Sequence, residues 1–261
     1  MSLSDMLQQA ATQDSLEIPA GWGQGRATYG GLVAAVLLAR VQAVAGVETP
    51  VRSLTVSFIG PVAPGPVRLS VEVLRRGKSV TQLEARLWQQ DAVQVVMLVS
   101  LGASRDSVVK VPVSTLLPDM MIPEAFASLP WMPLMPEFLQ QVELRYAGGG
   151  FPFSGSVHPD FRGWMRFREP LAHFGLPALL GLVDAWPPST LPLLSQVVPA
   201  STLCWTVEFL AEPEPDAGTA WWAYDVQTDY AADGYGHAEA RVWNASGQLM
   251  AISRQTTTVF A

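Results

Sequence analysis

The chain has 261 residues, 49% of them hydrophobic and only 15% charged, with a formal net charge of -7. That length holds one large or two small domains with full cores, while the acidic balance and the lack of any Lys/Arg run exclude general nucleic-acid binding. The single Cys204 excludes an internal disulfide framework and fits a reducing cytoplasm.

Residues 1–14 have neither a basic start nor an apolar core of signal-peptide type, and the apolar stretch 27–39 is too short to cross a bilayer. A soluble cytoplasmic protein with no membrane partner is expected. Residues 1–20 read as a tail or short helix. Glycines at 21, 23, 25, 30 and 31 invite a dinucleotide-loop reading, but no strand precedes them and no βαβ pattern follows. After Tyr29-Gly30-Gly31, residues 32–43 are apolar on nearly every side, which predicts a buried helix. Period-two, β-branched stretches at 53–59, 67–75, 79–89 and 93–101 then predict an antiparallel meander.

Residues 109–136 carry six prolines together with Met120, Met121, Phe126, Trp131, Met132 and Met135. Such proline density opposes regular structure, and such apolar content predicts a segment that crosses the outside of the molecule while packed down. Strands at 142–146 and 163–169 follow, then a helix at 177–186 with Pro177 in its first turn and Pro187-Pro188 ending it. Strands at 202–210, 220–230, 236–244 and 249–259 complete the chain, with Ser246-Gly247 as a hairpin turn.

The second half repeats the first. Thr55-Val56-Ser57-Phe58-Ile59 returns as Thr206-Val207-Glu208-Phe209-Leu210, 151 residues on, and Glu84-Ala85-Arg86-Leu87-Trp88 returns as Glu239-Ala240-Arg241-Val242-Trp243, 155 residues on. Units this long are a duplicated domain rather than a solenoid. The expected class is α+β, a helix packed on an antiparallel sheet, twice. The expected division is a tail at 1–20, a first repeat at 21–108, a connector at 109–136 and a second repeat at 137–261.

Asp184 is the only charged residue between Glu169 and Glu208, on a helix with no evident wet face and near its C-terminus, where the macrodipole opposes a negative charge. A buried carboxylate needs partners or a task. Either it bonds nearby backbone N–H groups and caps the following turn, or it carries chemistry. The helix of the first repeat has no carboxylate, which argues against a purely structural requirement. His237 follows Asp233 by four residues, but Asp233-Gly234 is a turn dipeptide and a loop reading prevails. His158 and His173 lie in irregular segments; one Cys and three scattered His give no metal site, and no Gly-x-Ser-x-Gly elbow is present. Taken alone, Thr202 and Gln255 are ordinary strand residues.

The arrangement resembles the double-hotdog acyl-CoA thioesterases, and within them the bacterial thioesterase II (TesB-like) family. Tyr29-Gly30-Gly31 corresponds to that family's Phe-Gly-Gly at the start of the first helix. Gly60-Pro61 matches a strand end, and Leu74-Arg75-Arg76-Gly77-Lys78-Ser79 matches a turn that typically reads Leu-Arg-Asp-Gly-x-Ser. The resemblance implies a double-hotdog fold and a catalytic set of Asp184 on the second helix, Thr202 at the start of the next strand and Gln255 near the end of the last. Two departures stand out. Cys204 takes the place of a common Asp, and Leu210-Ala211-Glu212-Pro213 replaces a strand-ending His-Arg-Pro.

The repeat offsets map Thr202 onto Val51 and Gln255 onto Ser100, so the first repeat lacks the set and one working site per chain is expected. The implied reaction is water attack on an acyl-CoA thioester, with Asp184 as base and Thr202 and Gln255 positioning the water. The backbone of Gly30 and Gly31 would serve as oxyanion donors, and an apolar tunnel between helix and sheet would take the acyl chain. No metal or other cofactor is implied; a homo-oligomer, a dimer of double hotdogs, is. Two alternatives remain at this level: a non-catalytic hotdog that binds acyl groups or a partner, and a hotdog dehydratase, which requires His237 beside Asp184.

Overall fold

The computed structural model describes residues 1–46, 49–113 and 117–261. Helix α1 (Leu3–Thr12) and strand β1 (Ser15–Ile18) precede a short hairpin, β2 (Gly23–Gln24) with β3 (Ala27–Thr28), and the long helix α2 (Gly30–Ala45). Four strands follow: β4 (Val51–Phe58), β5 (Gly65–Arg76), β6 (Val80–Gln89) and β7 (Ala92–Gly102). The second repeat comprises β8 (Val142–Gly149), β9 (Phe161–Phe167), helix α3 (Leu176–Val183), β10 (Ala200–Phe209), β11 (Trp222–Ala232), β12 (Tyr235–Trp243) and β13 (Leu249–Val259).

Eleven of these strands form one sheet in the order β1-β5-β6-β7-β4-β10-β13-β12-β11-β9-β8, with antiparallel pairs throughout. The order in the first repeat, β5-β6-β7-β4, is mirrored by β11-β12-β13-β10 in the second, and the repeats join edge to edge through β4 and β10. Each would otherwise present an open strand edge. In that seam Thr55 lies opposite Thr206, its own repeat mate, and their hydroxyls are 3.1 Å apart. The pseudo-twofold axis therefore passes between these two threonines.

Helix α2 is apolar all round because it has partners on every side: Gly31 to Ala39 and Val41 are buried between the sheet, α3 and α1. The N-terminal segment, expected as a tail or short helix, forms the helix and is part of the fold. Ser2 and Asp5 form a reciprocal capping box, and Leu3, Met6 and Ala10 are buried on one face of α1. Strand β1 pairs along β5. Helix α3 is shorter than expected and ends at Val183 with Asp184 as its C-cap. The connector divides into two parts. Val108, Val109 and Val111 are exposed, contrary to the expectation of a packed segment, as are Met121, Met132 and Leu134 further on, whereas Leu117, Met120 and Phe126 cover Trp164, Trp243 and Leu249 on the outer face of the second sheet. Among the described residues, no helix is long and apolar enough to cross a membrane.

Candidate active site

Asp184 stands at the meeting point of the two repeats. It caps the C-terminus of α3, and the N-terminus of α2 is aimed at it from the other repeat. Gln255 Nε2 on β13 donates to Asp184 Oδ1 at 2.8 Å, and the backbone N–H of Gly31 hydrogen-bonds the same carboxylate. Gly30 leaves little room for a side chain: a Cβ there would lie 3.0 Å from Asp184 Oδ2 and 3.2 Å from the Phe58 ring. Gly31 is more confined, since its Cβ would sit 2.6 Å from the Gly181 carbonyl oxygen. The Tyr29 hydroxyl donates to that carbonyl, one of the orphan acceptors at the end of α3. Its ring stacks on Phe138 at 4.0 Å.

Burial pushes the Asp184 carboxyl up to about 7, against the lowering pull of the Gln255 and Gly31 hydrogen bonds. The two helix ends act in opposite senses as well. The C-terminus of α3 disfavours the charge and the N-terminus of α2 favours it, each by roughly 0.3–1 kcal/mol. A carboxyl poised near neutrality suits proton transfer at physiological pH.

Thr202 makes no hydrogen bond to Asp184 or Gln255, but the register places it on their side of the sheet. A bulge at Leu203 breaks the β10–β13 ladder, so that Thr202 faces Thr257 while Cys204 faces Thr256. Thr257 shares the inner face with Gln255, two residues away, and Cys204 falls on the outer face. The extra residue re-aims Thr202 inward, a common use of bulges beside functional sites. Cys204 is exposed and directed away from Asp184.

Three expectations change. Gly31, proposed as an oxyanion donor, directs its N–H to the Asp184 carboxylate, which leaves Gly30 as its neighbour in the first helical turn. The repeat mate of Gln255 is Val99 rather than Ser100. Gln255 lies opposite Trp205 and Ala238, whose mates Leu54 and Leu83 both lie opposite Val99. Between the equivalent pairs Trp88–Val93 and Trp243–Leu249 the second repeat has one more residue, and a fixed offset of 155 misses it. Val99 is fully buried, whereas Ser100 bonds Gln82 on the other face. His237 is not in a loop. It lies on β12, exposed, with Nδ1 3.3 Å from Thr256 Oγ1 and on the face away from Gln255. The condition for a dehydratase is unmet.

The tunnel expected between helix and sheet is a cleft beside Gln255 with room for about one water molecule, lined by Ser189, Tyr224, Ser253 and Thr257 among others. Tyr224 was missed at sequence level because an aromatic residue in an alternating strand reads as core.

A helix wrapped by an antiparallel sheet, twice in one chain and joined edge to edge, defines a double hotdog. The chain matches two family models, "Acyl-CoA thioesterase N-terminal domain" over residues 18–102 and "Acyl-CoA thioesterase C-terminal domain" over residues 117–259. It belongs to the acyl-CoA thioesterase family and is a hotdog-fold thioester hydrolase.

Solved structures agree on the fold. A conserved hot-dog-fold protein of unknown function from Alicyclobacillus acidocaldarius is 23% identical, with a TM-score of 0.83 over 95% of this chain and 92% of that one. Acyl-CoA thioesterase II TesB2 from Mycobacterium marinum is 18% identical, with a TM-score of 0.75 over 99% and 98%. The tesB protein of Mycobacterium avium subsp. paratuberculosis is 17% identical, with a TM-score of 0.76 over all of both chains. No curated protein matches the chain.

Proposed function

We propose that this chain hydrolyses acyl-CoA thioesters to a carboxylic acid and free CoA by direct attack of water, with Asp184 as general base. The Gln255–Asp184 hydrogen bond beneath the N-terminus of α2 carries the reading. It holds a carboxyl of raised pKa at the edge of a water-sized cleft. Asp184 takes a proton from the water as its oxygen bonds to the thioester carbonyl carbon. Collapse of the tetrahedral intermediate breaks the C–S bond, and the proton passes to the leaving thiolate. Gln255 fixes the carboxylate, Thr202 holds the water from the inner face, and the first-turn N–H of Gly30 faces the developing oxyanion, since that of Gly31 is engaged. Self-association of double hotdogs accompanies this reading, and light scattering tests it.

A panel of acyl-CoAs with a thiol reagent measures the activity. Asp184→Asn should lower kcat by roughly 10²–10⁴-fold while the protein still melts cooperatively. Ser100→Ala, on the opposite face of the other repeat, should leave turnover unchanged. Full activity in Asp184→Asn removes the carboxylate from the mechanism.

A further inference from the structure

The inner face of the second repeat is polar where that of the first is apolar. Tyr224 lies opposite Val242, Ser253 opposite Ala240, Gln255 opposite Ala238 and Thr257 opposite Gly236. The mirrored places of the first repeat hold Leu69, Met97, Val99 and Leu101, all buried. The four polar residues line the cleft with room for about one water molecule.

Two of the four have partners. Ser253 Oγ accepts from the Trp205 indole at 2.7 Å, and Thr257 Oγ1 reaches the Gly236 carbonyl at 3.4 Å. The other two are incomplete. Gln255 gives its Nε2 to Asp184, and among the described residues its Oε1 has no partner, nor has the Tyr224 hydroxyl. A donor and an acceptor that face one confined space are costly to leave unpaired, and a single water between them serves both.

The Tyr224 hydroxyl is suited to the donor's part. Burial first, then the charge of Asp184, with Tyr146 and Asp225 adding to it, push its pKa well above the ordinary value, so it keeps its proton. The same carboxylate faces Tyr29, but that hydroxyl is spent on the Gly181 carbonyl. The Tyr224 ring stacks on Trp186 at 5.3 Å and on Phe161 at 6.3 Å, and Trp186 abuts Tyr146 at 4.9 Å. A ring packed on this many sides does not swing aside readily.

We propose that Tyr224 is a positioning residue of the hydrolytic site: its hydroxyl donates to a water in the cleft, that water donates to Gln255 Oε1, and Gln255 Nε2 donates to Asp184. Every donor in this chain points the same way, which polarises it toward the carboxylate. It also fixes the carboxamide, since a flipped Gln255 would set oxygen against oxygen. Among the described residues, neither Asp184 nor Thr202 lines the cleft, so this water stands apart from the one that attacks. The effect on turnover rests on the reading of Asp184 as general base; the chain itself is read from the carboxyl alone.

Tyr224→Phe keeps the ring and its stack and removes only the donor. The Asp184 midpoint is followed by NMR of carboxyl-labelled aspartate, assigned with Asp184→Asn, beside the pH profile of kcat/KM. In Tyr224→Phe both midpoints should rise by roughly half a unit and kcat should fall roughly 3–10-fold with KM within about twofold, as for one neutral hydrogen bond. Added to Gln255→Leu, the same substitution should change neither, because the chain is already cut. A role in packing alone would not produce that silence. Ala238→Leu, which fills the cleft and leaves both ends of the chain in place, should act in the same direction and also fall silent in Gln255→Leu. It keeps the proposal testable if Tyr224→Phe fails to fold. Unmoved midpoints in a folded Tyr224→Phe, or a rise of equal size with and without Gln255, overturn the proposal. A raised NMR midpoint in a protein that hydrolyses no thioester supports the chain and overturns Asp184 as the base instead.

Discussion

Asp184 lies between the ends of two helices contributed by different repeats, and its titration should be visible in both activity and stability. As a base it works when ionised, so kcat/KM should rise with pH through about 7 and then level off. Gln255→Leu removes a bond that lowers this pKa, and the midpoint should move to higher pH; an unmoved midpoint separates Gln255 from the base. The stability effect has the opposite sign. The carboxyl binds its proton more tightly in the folded than in the unfolded chain, where it titrates near 3.9. The stability it contributes is therefore fully present below about pH 4 and lost as pH rises through about 7. Denaturant melts should show Asp184→Asn gaining on the unmodified protein over that window, by about 4 kcal/mol at most. At this scale the sequence was informative where a residue broke a pattern, as the lone carboxylate among leucines did. It was silent on Tyr224, whose place in the wall of the cleft depends on strand register and on packing against Trp186.

At the scale of elements, the outer face of the second sheet is held by one carboxylate shared between two guanidinium groups. Glu143 Oε1 accepts from Arg145 at 2.8 and 3.0 Å, and Glu143 Oε2 accepts from Arg166 at 2.7 and 2.9 Å. Both guanidinium groups lie over Trp221, and Arg145 also donates to the Pro123 carbonyl, which ties the connector to β8. Burial raises the Glu143 carboxyl, but the two arginines outweigh it and the pKa falls below its ordinary value. Its stabilisation is thus present above the unfolded pKa and lost as pH falls through the lower folded one. Glu143→Gln should cost about 2–4 kcal/mol, toward the lower end because Arg166 keeps some exposure. Proteolysis near Pro123 should quicken as the connector loosens, with turnover little changed. The two parts of the connector differ for a visible reason. Leu117, Met120 and Phe126 have the Trp164–Trp243 patch to land on, and the valines upstream face no such surface. Composition alone does not distinguish them. Helix α1 is read from sequence only as a tail or short helix, although Ser2-x-x-Asp5 with Leu3, Met6 and Ala10 at helical spacing marks a capped amphipathic helix.

For the whole molecule, the duplication made the architecture readable from sequence, since each repeat served as a check on the other's helix and strands. What it left open was which strand edges meet, because pairing between β4 and β10 has no local signature. The seam predicts that the connector is dispensable for holding the halves together. A protease site inserted between Val109 and Lys110 should be cut readily, yet the two fragments should co-elute and stay active. They share the β4–β10 ladder and the α2–α3 contact. Fragments that separate on cleavage would show that the exposed segment, rather than the seam, keeps the repeats assembled.

The reach of the Tyr29 hydroxyl to the Gly181 carbonyl bears on how this gene can drift. Duplication ordinarily relaxes selection on whichever copy has given up its chemistry. Here the first repeat finishes the other's helix, and Gly30 behind Tyr29 leaves room for the carboxylate. Residues 29–31 are therefore bound to the fate of residues 181–184, and saturation mutagenesis under selection for activity should find the two stretches equally intolerant. Val99, at the position that mirrors Gln255, should accept other apolar residues of like volume. Relaxation in this chain should then be confined to single positions of the first repeat and not extend to the repeat itself.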